Sequence, residues 1–475
     1  MTQKILQAPS GLGARSLGLK LIVILLLIVL MAVPIIFISV ISFERSSRAD
    51  EVTREVGQTY GGPQTLSGPV VVVPFQQTLA EGRLRQGDFV VSALSGEAVF
   101  DGIMVEEKAR SLYRVPVYTA DGTLSAQFAP LEDSLPADEG LEFDTSRARI
   151  VFAMQDVTGL QRDVTLRAGG QSLTFEPYRG VGYGRVPTRT VPDVYDSTGR
   201  VVAPSPTSVI TEPLESRGLT LLSAPLPEAL RERGGEAVVA VSLTGAPSFG
   251  VLPYARSTEL RVAADWAHPG FEGRFPPGER EIADSGFAAT WSVPFLRRGI
   301  PASGRATEMG ELFGSNAAMQ VNFVTPLDPY RTVNRALKYA VMFIGLVFLA
   351  YFLMETLLGV RVHPAQYLLI GLAQAVFYLL LLAFAEQIGF TPAFILSAVA
   401  TVALTSLYAG AVFGRSLIWK SALVFGTVYG LLFVLMRIQD FALMVGALVC
   451  FVAIAATLYL TRNLDWYGGR DDAAA

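Results

Sequence analysis

The side chains that most often perform acid–base chemistry or bind metals are scarce in this chain of 475 residues. It has two histidines, His268 and His363, and one cysteine, Cys450. A zinc site normally recruits several His and Cys ligands, and a Ser/His/Asp triad would need His268 together with a Gly-x-Ser-x-Gly elbow, which the sequence lacks. Because His268 lies in a turn-like stretch, 265–269, we interpret it as a surface or hydrogen-bonded residue. We predict no catalytic residue, no metal site and no cofactor.

Adjacent carboxylates, at Glu106-Glu107 and Asp138-Glu139, offer the remaining acid–base chemistry. Neighbouring residues of a strand point to opposite faces of a sheet, so these pairs are typical of solvated charge. An envelope-polymer hydrolase that uses carboxyl groups as acid and base is one alternative function.

Residues 265–282 concentrate aromatic and basic side chains in a segment that also contains two consecutive prolines. Aromatic and arginine residues are enriched at protein interfaces, although the same residues suit a loop folded over the end of a domain. We predict that this segment binds a partner, with five candidate residues: Trp266, His268, Phe271, Phe275 and Arg280.

The elements that position these residues follow from the distribution of apolar side chains. A bilayer core of about 30 Å requires roughly 20 apolar residues in a helix, and the uncharged run 21–43 satisfies that requirement. Five more runs crowd into the last third of the chain, near 337–358, 365–385, 390–412, 416–436 and 440–461. The sequence therefore predicts six transmembrane helices, one N-terminal and five C-terminal.

Basic residues beside these runs predict which end of each helix faces the cytoplasm. Lys4, Arg15 and Lys20 precede the first run, which is too long for a signal-peptide core and lacks a small-residue cleavage site. We interpret it as an uncleaved signal anchor with a cytoplasmic N-terminus. The later connections on the same side carry most of the basic residues: Arg361, Arg415, Lys420, Arg462 and Arg470. Both termini are then cytoplasmic, and the region after the first helix is exported.

Polar residues inside the helical region are functional candidates because they cost free energy in a membrane. We expect Glu355 to reach the cytoplasmic interface, with a buried role as the alternative, and Gln374 to form a hydrogen bond across helices. Glu386 and Arg437 fall in the two short exported connections, where they are placed to pair. Arg361 and His363 belong to a basic turn in which Pro364 starts the next helix.

The exported region contains 28 basic and 36 acidic side chains between residues 44 and 335, a net charge of −8. That charge argues against nucleic acid as a partner. After a helical stalk that ends at Gly61-Gly62-Pro63, short β-branched runs alternate with apparent turns such as Asp101-Gly102, Asp121-Gly122 and Ser303-Gly304. This pattern predicts a mainly antiparallel β domain, a sandwich or two stacked ones. Residues 179–208 either divide it into two subdomains or form one long loop.

These predictions give a membrane protein of α + β class with a large β domain inserted between the first and second transmembrane helices. The predicted boundaries are 1–20 for the cytoplasmic N-terminus, 21–43 for the first helix, 44–62 for the stalk, 63–335 for the β domain, 336–461 for the five-helix bundle and 462–475 for the cytoplasmic tail.

Several strings, in order along essentially the whole chain, resemble the CreD family of bacterial inner-membrane proteins. They are Leu112–Tyr118 (LYRVPVY), Asp265–Gly273 (DWAHPGFEG), Arg335–Tyr339 (RALKY) and Arg361–Gly371 (RVHPAQYLLIG). The resemblance implies an inner-membrane location, a periplasmic β domain and a place in a two-component regulon concerned with envelope integrity, colicin tolerance and the response to β-lactams. It transfers no catalytic residue.

The leading hypothesis is a non-enzymatic protein that contacts the lipid bilayer and supports the cell envelope, with a β domain that binds a periplasmic protein or an envelope component. A transporter or lipid-handling protein that uses the C-terminal bundle is the other alternative, and it would need a polar cavity containing Gln374 and Glu355.

Overall fold

The computed structural model describes residues 17–79, 84–111, 113–137, 140–180, 194–195, 201–202, 209–215, 218–314, 317–324, 329–360, 362–438 and 441–462. The chain forms two compact units. The helical unit comprises Met1–Asp50 and Leu327–Ala475, and the β unit comprises Glu51–Pro326.

The first helix, α1 (Leu17–Thr59), starts with the apolar run and continues through the charged residues that follow it. Gly61 and Gly62 end it because both adopt the left-handed conformation, with φ of 87° and 61°, and the Gly62 N–H caps the Gly57 carbonyl at 2.7 Å. Within the β unit, Val52 and Val56 lie one turn apart and are buried against an apolar patch that includes Val115 and Val117.

The β unit contains twenty-one described strands and three short helices. The strands of its first half are β1 (Gln64–Thr78), β2 (Leu84–Val91), β3 (Ser95–Arg110), β4 (Tyr113–Phe128), β5 (Leu141–Phe143), β6 (Arg149–Met154), β7 (Thr165–Ala168), β8 (Gln171–Thr174), β9 (Glu176–Pro177), β10 (Val194–Tyr195) and β11 (Val201–Val202). Those of its second half are β12 (Val209–Glu212), β13 (Thr220–Pro225), β14 (Gly235–Gly245), β15 (Ser248–Val251), β16 (Ser257–Ala264), β17 (Pro269–Gly273), β18 (Glu279–Ala283), β19 (Gly286–Val293), β20 (Ser303–Arg305) and β21 (Met319–Phe323). The helices are α2 (Leu131–Ser134), α3 (Glu228–Arg233) and α4 (Phe295–Arg298).

Two large sheets account for nearly all of these strands. The first sheet has the order β17-β21-β15-β1-β6-β13-β9, with β2, β5, β12 and β20 paired off this path. The second has the order β18-β19-β16-β3-β4-β14-β7-β8. The pairings are mainly antiparallel, as predicted, with three parallel ones: β1 with β15, β2 with β12 and β3 with β16.

One apolar core joins the two sheets. Phe100 of the second sheet lies edge-on to Phe249 of the first, with ring centroids 4.6 Å apart. Tyr118 and Phe323 make a second contact between the sheets at 5.0 Å. The run 70–73, four consecutive valines, is fully buried because β1 is an inner strand whose two faces are both covered.

All three predicted turns are wrong, because each lies in a strand. Asp101-Gly102 and Asp121-Gly122 lie inside the long paired strands β3 and β4. The register of this pair shifts between Val99 and Met104, so Asp101-Gly102 occupies a β-bulge. Gly122 instead makes room for a neighbour, since a Cβ at that position would lie 2.3 Å from the Phe100 ring. Ser303-Gly304 also lies in a strand, β20.

The segment 179–208 lies largely outside the described residues. The strands before and after it contribute to the same core, through Phe152 and Leu222 among others. Asp88 of β2 is completely buried there, and its Oδ2 accepts hydrogen bonds from the Tyr178 hydroxyl at 2.8 Å and the Leu214 N–H at 2.7 Å. One carboxylate thus contacts the chain on both sides of the segment.

The helical unit contains six further helices after the β unit. They are α5 (Pro329–Lys338), α6 (Ala340–Leu358), α7 (Pro364–Ile388), α8 (Phe390–Phe413), α9 (Ile418–Arg437) and α10 (Ala442–Thr461). Together with the apolar part of α1, the helices α6 to α10 give six that are long and apolar enough to span a membrane. This confirms the prediction of one N-terminal and five C-terminal transmembrane helices. The short helix α5 belongs to the helical unit, whereas the predicted boundary at 335/336 divided it.

Candidate functional site

The predicted partner-binding segment supplies the last strand of both sheets. Strand β17 pairs with β21 at one end of the first sheet, and β18 pairs with β19 at one end of the second. Only 274–278 separates these two strands. Among the described strands, a single stretch of chain therefore forms one edge of each sheet, and an edge strand presents a row of backbone N–H and C=O groups.

The two phenylalanines of this segment serve the fold. Phe275 is 2% exposed, and its carbonyl accepts a hydrogen bond from the indole nitrogen of Trp291 at 3.0 Å. The Phe271 ring lies edge-on to both Phe287 and Trp291, with centroids 5.7 Å apart in each case. Phe275 therefore does not present its ring to a partner, contrary to the prediction.

The other three candidate residues are at least partly accessible. Trp266 is half-buried and donates a hydrogen bond to the Val324 carbonyl at 3.1 Å. His268 is exposed, and so is Arg280, whose guanidinium carbon lies 6.0 Å from the centre of the Phe271 ring. Of the five candidate residues, His268 and Arg280 therefore present an exposed imidazole and an exposed guanidinium beside a backbone edge.

Glu355 lies near the end of α6 and is 7% exposed, so its side chain is buried within the helical unit. Its position at the cytoplasmic interface stays a prediction. Its carboxylate accepts hydrogen bonds from the Tyr367 hydroxyl at 2.7 Å and the Val362 N–H at 2.9 Å, and it forms an ion pair with Lys20 of α1. A buried carboxylate without such partners would be costly, and Lys20 lies 335 positions away in the sequence. No local pattern could have revealed this partner.

His363, exposed at the start of α7, caps that helix. Its Nδ1 accepts a hydrogen bond from the Ala365 N–H at 3.2 Å, while the Gln366 side chain accepts one from the His363 N–H at 3.0 Å. Pro364 occupies the first position of α7, as predicted. The His-x-x-Gln spacing, a variant of the capping box, was a signal for this role that we did not use.

Gln374 forms the predicted hydrogen bond across helices, because its Oε1 accepts from the Tyr429 hydroxyl of α9 at 2.5 Å. Both side chains are buried. Its Nε2 has no hydrogen-bond partner among the described residues.

Glu386 and Arg437 have other partners than each other, so their predicted pairing is wrong. Glu386 accepts a hydrogen bond from the Tyr330 hydroxyl at 3.0 Å and lies 3.8 Å from the Arg45 guanidinium. Arg437 donates to the Thr391 hydroxyl at 3.0 Å. The reason is that α1 and α5, which the prediction did not place beside this end of α7, supply the nearer groups.

Arg298 is a buried charge that sequence reasoning missed. It is 1% exposed, and its guanidinium donates to the Pro301 carbonyl at 2.6 Å and the Ser92 hydroxyl at 2.9 Å. Desolvation, with a smaller contribution from nearby Arg256, lowers the pKa of Arg298 to about 10. It stays protonated at neutral pH and orders the chain around α4.

Clusters that could hold a metal ion are absent from the described part of the chain. One cavity of about 190 Å³ opens beside β6, and its lining includes Arg147 and Arg149 but no carboxylate. It therefore gives no support to an acid–base pair of carboxyl groups.

Comparison with known proteins agrees with this architecture. The family model described as inner membrane protein CreD matches residues 16–467. The inner membrane protein CreD of Escherichia coli (strain K12) is 31% identical over 455 residues, which cover 92% of this chain and 90% of the relative. With its six apolar helices, this chain is a multi-pass inner-membrane protein and belongs to the CreD family.

Proposed function

We propose that this protein supports the integrity of the bacterial cell envelope without acting as an enzyme, with both termini in the cytoplasm and the β unit in the periplasm. The basic residues Lys4, Arg15 and Lys20 before the first span support this orientation, since positive flanks stay on the cytoplasmic side. A reporter enzyme that is active only in the periplasm, inserted after Gly180, should be active. Activity of a cytoplasm-specific reporter at the same position would contradict the orientation.

We further propose that the β unit binds a periplasmic partner protein at the edge strands β17 and β18. The supporting observation is that one segment, 269–283, ends both sheets. An extended peptide can add a strand to such an edge through backbone hydrogen bonds, and neighbouring side chains then select the peptide. All five residues of β18 are exposed, and Glu279, Arg280 and Glu281 give it alternating charge. Such charges discourage indiscriminate edge pairing, so a matching partner is required.

Photocrosslinking in cells tests this proposal. A photoreactive amino acid at Ile282, which is 52% exposed on β18, should capture a discrete protein adduct. The matched control is Gln171 on β8, which is also exposed and ends the second sheet at its other side. An Arg280→Ala change should weaken the adduct at 282. Equal adducts at both positions, or adducts with an envelope polymer only, would refute a protein partner at this edge.

A transporter or lipid-handling role for the helical unit is the second candidate. It rests on the buried polar groups of Glu355 and Gln374 within the bundle. Their neutral replacements, Glu355→Gln and Gln374→Leu, should abolish the envelope phenotype if this candidate is right. An intact phenotype in cells that contain normal amounts of both variants would remove its support.

A further inference from the structure

Helix α5, just before the second transmembrane helix, has two opposite faces. Its buried residues are Tyr330, Val333, Ala336 and Leu337. Its basic residues are Arg331, Arg335 and Lys338, spaced four and three positions apart, and the helix contains no acidic residue. At 100° per residue, the three basic positions fall within about 60° of one another on the side opposite the buried ones.

The buried face of α5 is fixed to the other helices of the same unit. The Tyr330 hydroxyl donates to Glu386 of α7 at 3.0 Å, and the Ser42 hydroxyl of α1 donates to the Asn334 side chain at 2.7 Å. On the basic face, the half-buried Arg335 donates to the Met436 carbonyl near the end of α9 at 3.0 Å, whereas Arg331 and Lys338 are exposed. The helix therefore holds its basic face in a defined place at the end of the bundle.

The basic face lies where lipid headgroups are expected. Lys338 precedes the first residue of the transmembrane helix α6 by two positions. Arg331 and Lys338 are exposed, and seven residues of helix place their Cα atoms about 10 Å apart. Under the orientation proposed above, these charges lie at the exported end, where positive charge does not help to orient the chain. Topology therefore does not account for the exposed pair Arg331 and Lys338.

We infer that the basic face of α5 binds the phosphate groups of anionic phospholipids. Arginine and lysine pair with phosphate through charge-assisted hydrogen bonds, and basic groups beside transmembrane helices attract anionic headgroups. Charge complementarity and the position of α5 at the start of a transmembrane helix identify the lipid headgroup as the occupant. Only the leaflet in which the lipid lies depends on the proposed orientation; the site itself does not.

Native mass spectrometry of the purified full chain in detergent tests the site without reference to sidedness. Phosphatidylglycerol should bind more tightly than phosphatidylcholine. The double variant Arg331→Gln/Lys338→Gln should weaken phosphatidylglycerol binding by about fivefold for each charge removed at low salt. Arg415→Gln/Lys420→Gln is the matched control, since both residues are exposed and flank the start of α9, at the other end of the bundle. It should leave the preference largely intact.

Three further readouts complete the test. Arg331→Lys keeps the charge and should keep the preference, and its loss in this variant would count against a charge-based site. Thermal unfolding without added lipid should show that the double variant is still folded at the temperature of the binding assay, which separates lost binding from misfolding. Equal weakening by the control pair, or displacement of the lipid by soluble glycerophosphate at matched ionic strength, would overturn the assignment.

Discussion

The two units of this protein accommodate buried charge in different ways. In the β unit, Arg298 is surrounded by neutral oxygens of Ser92 and Pro301, which are available because loops leave backbone and hydroxyl groups unpaired. In the helical unit, Glu355 has a positive counter-charge, Lys20 of another helix. Helices that span a membrane use nearly all of their backbone groups internally, so few remain to solvate a carboxylate. A membrane bundle therefore depends more on distant charged side chains than a sheet domain does.

The largest expected effect is the loss of Lys20. Lys20→Met should destabilise the helical unit by about 3 kcal/mol, near the lower end for a broken buried ion pair because the Lys20 side chain is 26% exposed. Thermal or denaturant unfolding in detergent measures the change. The double variant Lys20→Met/Glu355→Gln should recover part of the lost stability. A double variant as unstable as the sum of both single variants would show that the two charges do not interact.

Asp88 is the next test, because among the described residues of the β unit it is the carboxylate that is completely buried. Asp88→Asn should cost about 2 kcal/mol, since hydrogen bonds from Tyr178 and Leu214 to a charged acceptor are stronger than those to an amide. Proteolysis between residues 179 and 213 should also become faster. Tyr178→Phe removes the hydrogen bond from the Tyr178 hydroxyl and keeps the one from the Leu214 N–H, so it should give a smaller effect in the same assays.

Arg298→Met should cost less than Lys20→Met, about 1–2 kcal/mol. The change leaves the Ser92 hydroxyl and the Pro301 carbonyl without a donor, but it also removes a buried charge whose desolvation lowers its pKa. Unfolding of both variants under the same conditions provides the comparison. A larger loss of stability for Arg298→Met than for Lys20→Met would contradict the conclusion that a buried charge depends more on a counter-charge in the helical unit than in the β unit.

The exposed ion pair Arg305–Glu308 should make the smallest contribution to stability, and this contribution should depend on pH. The hydrogen bond from Arg305 lowers the pKa of Glu308 below 4.5. Its contribution to stability is therefore full above pH 4.5 and is lost as the pH falls through the lowered pKa. The contribution should stay below about 1 kcal/mol because solvent screens both groups. Glu308→Gln should flatten the acid side of the stability curve slightly, and an unchanged curve would show that the pair contributes nothing.

Helices and strands could be predicted from the sequence better than contacts between residues that are distant in it. Hydropathy located the transmembrane helices, and short β-branched runs predicted a mainly antiparallel β domain, because both features are local consequences of burial. Gly122 was misread as a turn residue because its partner, Phe100, lies across a strand pair. Glu355 and Lys20 meet only in the folded bundle, so their pairing leaves no local trace. The edges formed by β17 and β18 likewise depend on sheet order.

The hydrogen bonds of Asp88 indicate where residues can be inserted into this chain. Its side chain accepts hydrogen bonds from Tyr178 and Leu214. Just before Leu214, strand β12 (Val209–Glu212) pairs with β2. Once two chain ends are held together, each doubling of the intervening length adds only about 0.6 kcal/mol of closure entropy. A tag inserted after Gly180 should therefore leave both hydrogen bonds to Asp88 and the pairing of β12 with β2 intact, because Tyr178, β12 and Leu214 all lie outside the insertion point.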